Sequence, residues 1–242
     1  MPTLLSPDSA QARSWASSFG EDPERYDRTR PSYPDAMVDR IIAASPGRDV
    51  LDVGCGTGIA ARQFAKAGCT VLGVEIDERM ASFARGTGVD VEVARFEDWD
   101  PAGRTFDLVI SGQTWHWIHP VAGAAKAKEA LRPGGRLAVF WNAFHLPPEC
   151  IAVFHRVIGV APSGDGYGAL ARRAAEGMGL GEPEYWEFEW ERPYTRAEWL
   201  DQVPTMGGFS QLTPNQQAEL LKSMDIGDFT MRYTATVVTA VV

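Results

Sequence analysis

The stretch VLDVGCGTG, residues 50–58, joins a short apolar run to glycines at Gly54, Gly56 and Gly58. An apolar run that stops at glycine is typical of a buried strand that turns into a helix. Glycine at such a turn permits positive φ and lets a ligand approach the backbone. The helix that follows offers free N–H groups and the positive end of its dipole. The loop is therefore predicted to hold an anionic or polar group.

Further apolar runs follow this loop and alternate with stretches that have helical spacing. The runs are TVLGVE (70–75), VDVEVA (89–94), FDLVIS (106–111) and GRLAVFW (135–141), and the helical stretches between them are 59–68, 79–88 and 121–131. Strand and helix in alternation predict βαβ units and a parallel sheet. A helix is also predicted after Pro34, over DAMVDRIIAA, and helical potential is present around Ala10–Phe19.

The alternation ends after Trp141. Residues 144–180 and 195–226 are predicted to be mostly helical, whereas 185–194 and 229–242 are aromatic or β-branched and predict strands. Thr195 with Glu198, and Thr213 with Pro214, are typical of helix starts. An antiparallel strand pair is therefore predicted beside five parallel strands, in an α/β fold with a mixed seven-stranded sheet, helices on both faces and a helical cap.

Composition and charge narrow the class of protein. The 242-residue chain has a net charge of −9 and no basic run, which argues against a nucleic-acid partner. Its three cysteines form no CxxC pair, so reduced thiols and a cytoplasmic location are expected. The start has no signal-peptide pattern, and no apolar run is long enough to span a membrane. His145 and His155 have no carboxylate at ligand spacing, so no metal site is predicted.

Two carboxylates qualify what the glycine loop can hold. The loop is GxGxG and not the dinucleotide pattern GxGxxG, and Asp52 precedes it by two residues. A carboxylate there repels a pyrophosphate but can hold a cationic amine. Glu75 ends the second strand, where an acidic side chain accepts hydrogen bonds from ribose hydroxyls. The pair predicts an adenosine-type ligand with a positive group and no diphosphate, which S-adenosylmethionine satisfies.

The same residues carry a family resemblance. DVGCGTG, VEID, FDLVIS and LRPGGRLAVFW together resemble class I S-adenosylmethionine-dependent methyltransferases. YDRTRPSYP (26–34) is similar to the N-terminal lid of a small-molecule subgroup that includes trans-aconitate-methyltransferase-like enzymes. The resemblance implies a Rossmann-like fold, with LRPGG as the turn before the fifth strand. It also implies one domain over 1–242, with a lid (1–33), a cofactor-binding core (34–143), helical cap segments (144–180 and 195–226) and C-terminal strands (185–194 and 229–242).

The resemblance also assigns a cofactor site. It implies that the glycine loop contacts the methionine portion, that Glu75 holds the ribose and that Ile76 lies on the adenine. Arg95 stands where many members have an aspartate that accepts from the adenine amine, so contacts from the Phe96 backbone with Glu97 or Asp98 are expected instead. The residues assigned to the cofactor are Tyr26, Arg30, Asp52, Gly54, Cys55, Gly56, Gly58, Glu75, Ile76, Phe96, Glu97, Ser111 and Gln113. Arg30 has three open roles, which are binding the methionine carboxylate, binding an acidic substrate, or a surface ion pair.

The stretch SGQTWHWIHP (111–120) follows the fourth strand, at the edge of the sheet where ligands bind. It is predicted to line the transfer site. The substrate-lining residues are predicted to be Tyr33, Trp115, His116, Trp141 and Asn142. Trp115 and Trp117 cannot face the same way, and Trp117 is expected in the core. For His116 the alternatives are a general base, a hydrogen-bonding wall residue or a buried structural histidine. His119 and Pro120 predict a helix start.

The function predicted from these residues is methyl transfer from S-adenosylmethionine to a small-molecule acceptor by in-line displacement, with S-adenosylhomocysteine as product. The protein is expected to be a monomer or homodimer. One alternative is a cofactor-binding regulatory or partner protein without its own catalysis. A nicotinamide oxidoreductase is a weaker alternative, because the loop spacing and Asp52 oppose it.

Overall fold

The computed structural model describes residues 16–158, 166–178 and 181–242. The strands in this part of the chain are β1 (Asp49–Val53), β2 (Thr70–Glu75), β3 (Asp90–Val93), β4 (Phe106–Gly112), β5 (Leu131–Phe144), β6 (Glu184–Tyr194) and β7 (Phe229–Val241). They form one sheet in the order β3-β2-β1-β4-β5-β7-β6. The first five strands are parallel to their neighbours, whereas β7 runs antiparallel to both β5 and β6. The predicted mixed, Rossmann-like sheet is confirmed.

The helices of the described residues are α1 (Pro23–Thr29), α2 (Asp35–Ala43), α3 (Ile59–Lys66), α4 (Glu78–Gly86), α5 (Pro120–Ala130), α6 (Pro148–Ile158), α7 (Gly166–Met178), α8 (Arg196–Gln202) and α9 (Pro214–Ser223). Thr195 and Thr213 form capping boxes with the residue three positions on, as their patterns predict. His119 accepts a hydrogen bond from the backbone N–H of Ala122 and so begins α5. Within the described residues, no helix is long and apolar enough to cross a membrane.

The sheet has an apolar core on each face. Alternate residues of β1 divide between the two cores, because successive side chains of a strand point to opposite faces. Leu51 and Val53 pack with Trp141 on one face. Val50 packs with Phe64 of α3 on the other. Each large side chain buried in this way contributes roughly 1.5–3 kcal/mol relative to exposure, so the two cores fix the strand ends that carry the site.

A third apolar cluster lies beyond the carboxyl ends of the parallel strands. It joins α6, α8 and α9 to the ends of β5, β6 and β7. Trp199 of α8 is almost fully buried in it, with its indole N–H donating to the Met224 carbonyl at 2.9 Å and its ring against Phe229. The cluster confirms that helices cap this end of the sheet, and it brings cap side chains to the strand ends.

Two expectations differ from the structure or fall outside it. LRPGG was expected to be a turn before the fifth strand, but β5 already begins at Leu131. The register with β4 shifts from Phe106–Leu131 to Leu108–Arg136, so residues 132–135 form an irregularity within the strand. The helical potential at Ala10–Phe19 lies mostly outside the described residues. The predicted domain bounds stay a prediction.

Candidate functional site

A cavity of about 470 Å³ opens at the carboxyl ends of the parallel strands. This is the edge at which open α/β sheets bind ligands. The predicted residues that line it are Tyr26, Arg30, Tyr33, Asp52, Gly54, Cys55, Gly56, Glu75, Ile76, Phe96, Glu97, Gln113, His116 and Asn142. Gly58, Ser111, Trp115 and Trp141 do not line it. The structure therefore brings most of the sequence-predicted residues together around one space.

The glycine loop turns through the left-handed region at each of its glycines, with φ of +66° at Gly54, +57° at Gly56 and +86° at Gly58. A Cβ at Gly54 would lie 2.1 Å from the Cγ2 of Thr114. Thr114 also donates its hydroxyl to the Gly54 carbonyl at 3.0 Å. Gly54 is therefore required both by its backbone conformation and by the close packing of the segment that follows β4.

Asp52 is buried beneath this loop, with 1% of its surface exposed. Its Oδ2 has no hydrogen-bond partner among the described residues. Burial first and the nearby carboxylate of Glu75 second raise the pKa of Asp52 to about 7. A buried carboxyl with an unused oxygen is a site that a cation would stabilise. Asp52 can therefore hold a small cationic group at the floor of the cavity.

Glu75 is held in place by two backbone amides. Its Oε2 accepts from the N–H of Gly56 at 2.8 Å, and its Oε1 accepts from the N–H of Asp77 at 2.9 Å. Burial raises the pKa of Glu75, and the two backbone hydrogen bonds oppose that shift. Ile76 follows directly and is 64% exposed in the cavity wall. An acidic acceptor and an apolar side chain thus stand side by side.

The acidic residue Glu97, in the segment after β3, already has partners within the protein. Glu97 accepts from the backbone N–H of His119 at 2.9 Å and pairs with Arg95 at 3.2 Å. Phe96 is buried and packs against Trp99 and Trp115. Glu97 and Phe96 both line the cavity, so this segment forms the wall beyond Ile76.

The Trp-His-Trp segment forms a short 3-10 turn, Trp115–Trp117. Trp115 is buried in the core and does not line the cavity, whereas Trp117 lines it and meets the ring of Phe19 at 6.5 Å between centroids. The expectation that Trp117 would be the core residue and Trp115 the wall residue is wrong. In the turn, the indole of Trp115 packs against Phe96, and the indole of Trp117 faces the N-terminal segment.

His116 lies between these indoles and lines the cavity. The indole N–H of Trp141 donates to its Nδ1 at 3.2 Å. Burial lowers the pKa of His116 to about 3. Trp141 itself is fully buried and packs in the core, so its predicted place in the cavity wall is wrong. The geometry favours a hydrogen-bonding role for His116 over that of a general base.

Two predicted cofactor contacts are also corrected. Ser111 is fully buried, and its hydroxyl donates to the Val53 carbonyl at 2.9 Å, so it fixes β4 to β1 and does not reach the cavity. Gly58 is the N-cap residue of α3 and stands behind the loop. Both residues hold the elements that form the cavity in place, but neither contributes to the cavity wall.

The N-terminal segment closes one side of the cavity. The guanidinium of Arg30 lies 4.9 Å from the ring centroid of Tyr26 and donates to the Thr205 carbonyl. Its Nε is buried and has no hydrogen-bond partner among the described residues. A cation with an unused donor at the cavity wall can bind an anionic group of a ligand.

The far end of the cavity is built by residues that the sequence did not single out. These are Phe144, Phe154, Gln202, Met206 and Tyr233. The hydroxyl of Tyr194 donates to Oε1 of Gln202 at 2.8 Å and lies 2.7 Å from the hydroxyl of Tyr233. Burial raises the pKa of Tyr233, so its hydroxyl stays neutral. Thr114 also lines the cavity, and it lies in the stretch after β4 that was predicted to do so.

Among the described residues, no group of three or more His, Cys, Asp or Glu is placed to hold a metal ion. The cavity is built from carboxylates, backbone amides, aromatic rings and the guanidinium groups of Arg30 and Arg95. That combination suits an organic ligand with a positive group at one end and an apolar or mixed group at the other.

Comparison with known sequences points to one family. Residues 50–135 match a family described as a methyltransferase domain. An uncharacterized methyltransferase of Mycobacterium tuberculosis is 34% identical over 133 residues, which are 54% of this chain and 54% of that protein. The trans-aconitate 2-methyltransferase of Mycolicibacterium gilvum is 35% identical over 136 residues, which are 54% of this chain and 49% of that protein. The chain thus spans about half the length of the curated relatives it matches.

Comparison with solved structures extends over more of the chain. A structure from Anaeromyxobacter dehalogenans, described as a candidate type II methyltransferase, has a TM-score of 0.62 at 23% identity and covers 88% of this chain and 97% of that one. The YcgJ protein of Bacillus subtilis has a TM-score of 0.54 at 13% identity, over 85% of this chain and 96% of that one. At these identities the likeness shows the fold. With the sequence matches, it confirms the resemblance predicted from the glycine loop and the strands that follow it.

Proposed function

We propose that this chain, whose residues 50–135 match a methyltransferase domain, transfers a methyl group from S-adenosylmethionine to a small-molecule acceptor. One observation carries the proposal. Two buried carboxylates, Asp52 and Glu75, converge under and beside a glycine loop at the floor of the cavity. This arrangement suits a ligand with an amine and a ribose and disfavours a pyrophosphate.

The residues present fit that cofactor. The Oδ2 of Asp52 has no hydrogen-bond partner among the described residues, and it would accept from the α-amino group of the cofactor. The positive charge of that group would stabilise the buried carboxylate. Glu75 would accept from the ribose hydroxyls, and Ile76 would cover the adenine. Arg30 would hold the methionine carboxylate. When bound, S-adenosylmethionine supplies a methyl group that its sulfonium activates for displacement.

The chain contributes orientation and shielding. A small acceptor held at attack distance and in line with the breaking bond gains most of its rate from position. Trp117, Phe19 and Tyr26 line the cavity with aromatic faces, which favour a nearby cation electrostatically. Phe144, Phe154 and Met206 supply an apolar far wall that excludes water from the acceptor.

The far wall also indicates the kind of acceptor. Gln202 and Tyr233 place polar groups among apolar side chains, so a partly apolar molecule with hydrogen-bonding groups fits best. The net charge of −9 disfavours a nucleic acid. By name, relatives of this chain act on trans-aconitate and demethylmenaquinone, and both belong in a first panel of acceptors.

The test is the formation of S-adenosylhomocysteine by the purified protein with a panel of carboxylic acids, quinols and phenols. We expect turnover with at least one class of acceptor, and none with the Asp52→Asn variant under the same conditions. The matched control is Asp39→Asn, which changes an exposed aspartate of α2 and should keep full turnover. Equal turnover by wild type and Asp52→Asn would contradict the proposed site.

A further inference from the structure

His116 lies at the point where the cavity meets the core. Its Nδ1 is 3.2 Å from the indole Nε1 of Trp141, which is fully buried. An indole N–H donates hydrogen bonds and cannot accept them. Nδ1 must therefore carry a lone pair. A neutral imidazole with its lone pair on Nδ1 carries its proton on Nε2.

The other edge of the ring is left for the cavity. His116 lines the cavity, and within the described residues no protein group bonds to its Nε2. Trp117 packs beside the ring, with 4.6 Å between centroids and 43° between the ring planes. The ring is thus fixed by a hydrogen bond at one edge and by a neighbouring indole, and Nε2–H is the edge left for whatever occupies the cavity.

We propose that His116 is a fixed hydrogen-bond donor to the methyl acceptor, not its general base, and that Trp141 is the positioning residue that selects the Nε2–H tautomer. The identity of the group that accepts this hydrogen bond rests on the proposed methyl transfer, whereas the tautomer of His116 follows from the contacts of the ring alone. To act as a base, His116 would have to carry its proton on Nδ1. That would break the bond from Trp141 and leave a buried indole N–H without an acceptor.

The carboxylates of the cavity offer no substitute base beside His116. Those that line it are Asp52, Glu75, Asp77 and Glu97, at the ends of β1 and β2 and in the segment after β3. Glu75 and Glu97 accept from backbone amides, and Asp77 pairs with Arg79. Asp52 is assigned to the α-amino group of the cofactor. The acceptor atom must therefore reach the site already deprotonated, as a carboxylate oxygen is, or be one that is methylated without losing a proton.

The test is a long-range 1H–15N spectrum of the 15N-labelled protein, which distinguishes the two tautomers by the shifts of the ring nitrogens. His116→Gln identifies the signals of His116. We expect the Nε2–H tautomer, with no titration between about pH 5 and pH 8, where an unperturbed histidine titrates. The Nδ1–H tautomer, or a titration in that range, would overturn the proposal.

Two variants separate the hydrogen bond from simple packing. Trp141→Phe keeps an aromatic ring but removes the donor, so the His116 signals should move to the average of a tautomer mixture. Trp117→Phe changes the other indole beside the ring and should leave the tautomer as it is in wild type. An unchanged tautomer in Trp141→Phe would overturn the role of Trp141. If that variant does not fold, the wild-type tautomer and its pH series still decide.

Adding S-adenosylhomocysteine tests whether the donor faces the transfer site. We expect the Nε2 signal of His116 to shift, and the signals of His145, whose Nε2 meets the Thr234 hydroxyl, to stay. A bound ligand, shown by calorimetry, that leaves His116 unchanged would overturn the donor role. If the ligand does not bind, the proposed function fails, while the tautomer measurement still decides whether Trp141 fixes the Nε2–H form of His116.

Discussion

The backbone N–H of Gly56 donates a hydrogen bond to Oε2 of Glu75 across 2.8 Å. This bond ties the glycine loop after β1 to the acidic end of β2. Asp52 lies in the same region with an unpartnered oxygen, and burial together with the Glu75 carboxylate raises the pKa of Asp52. A cationic ligand beside Asp52 would therefore stabilise its ionised form and lower its pKa.

Gly54→Ala should destabilise the protein. Its new Cβ would lie 2.1 Å from the Thr114 side chain, at a φ of +66°. Left-handed backbone and overpacking together cost about 2–4 kcal/mol of unfolding free energy. Denaturant unfolding measures this loss. The matched control is Gly86→Ala in α4, where nothing lies within 4 Å of the added Cβ. This variant should unfold at the same denaturant concentration as wild type or at a slightly higher one.

Asp52→Asn should remove a pH dependence of stability. The folded pKa of Asp52 is about 7, which is raised above that of an unfolded aspartate near 3.9, so the folded state holds the extra proton between these values. Stability then falls as pH rises from about 4 to 7, by an amount on the order of 2–4 kcal/mol. The ligand-free variant should be more stable than wild type near pH 8.

Urea unfolding of both proteins across this pH range measures the effect. The exposed Asp39→Asn variant serves as the control and should keep the wild-type slope. If Asp52→Asn has the same slope as wild type, the carboxyl of Asp52 does not ionise in the way that its burial requires.

Glu75→Gln should weaken both S-adenosylhomocysteine and adenosine, because it removes a charged acceptor from the ribose. A hydrogen bond to a charged group contributes roughly 1.5–3 kcal/mol, which is about 10- to 150-fold in Kd. Asp52→Asn should weaken S-adenosylhomocysteine but leave adenosine nearly unchanged. Calorimetry with the two ligands gives four affinities, and an equal loss of adenosine in both variants would place the ribose elsewhere.

Arg30→Gln should weaken S-adenosylhomocysteine by roughly tenfold or more and leave adenosine unaffected, because a charge-assisted bond to the methionine carboxylate is lost. Arg28→Gln is the control, in the last turn of α1 and two residues before Arg30. Arg28 pairs with Asp201 at 2.9 Å in an exposed ion pair, whose loss costs little. If Arg30→Gln binds the ligand normally but loses turnover, Arg30 holds an acidic acceptor.

Much of the sheet could be predicted from the sequence. β2 runs over Thr70–Glu75, as its apolar run predicts, because Gly68 ends the helix before it and Asp77 caps the helix after it. Asp52 and Glu75 were likewise predictable, because the residues at a strand's carboxyl end are fixed by where its apolar run stops. The irregularity at residues 132–135 was not, because it depends on the pairing of β5 with β4.

The places of the tryptophans could not be predicted. A three-residue 3-10 turn has no period that tells Trp115 from Trp117, and their burial is decided by Phe96 and Phe19, which are distant in sequence. Trp141 lies on the core face of β5, so its contribution to the site is a single N–H. Gln202 and Tyr233 reach the cavity from the cap and from β7, whose sequences carry no motif.

Titration calorimetry with S-adenosylhomocysteine, in two buffers of different ionisation enthalpy near pH 7, tests the central claim most directly. We predict one site with micromolar or tighter affinity, the release of about half a proton because Asp52 is half ionised there, and loss of binding in Asp52→Ala and Glu75→Ala. No binding of S-adenosylhomocysteine or S-adenosylmethionine by the folded wild type, with binding of NADH in its place, would contradict the account.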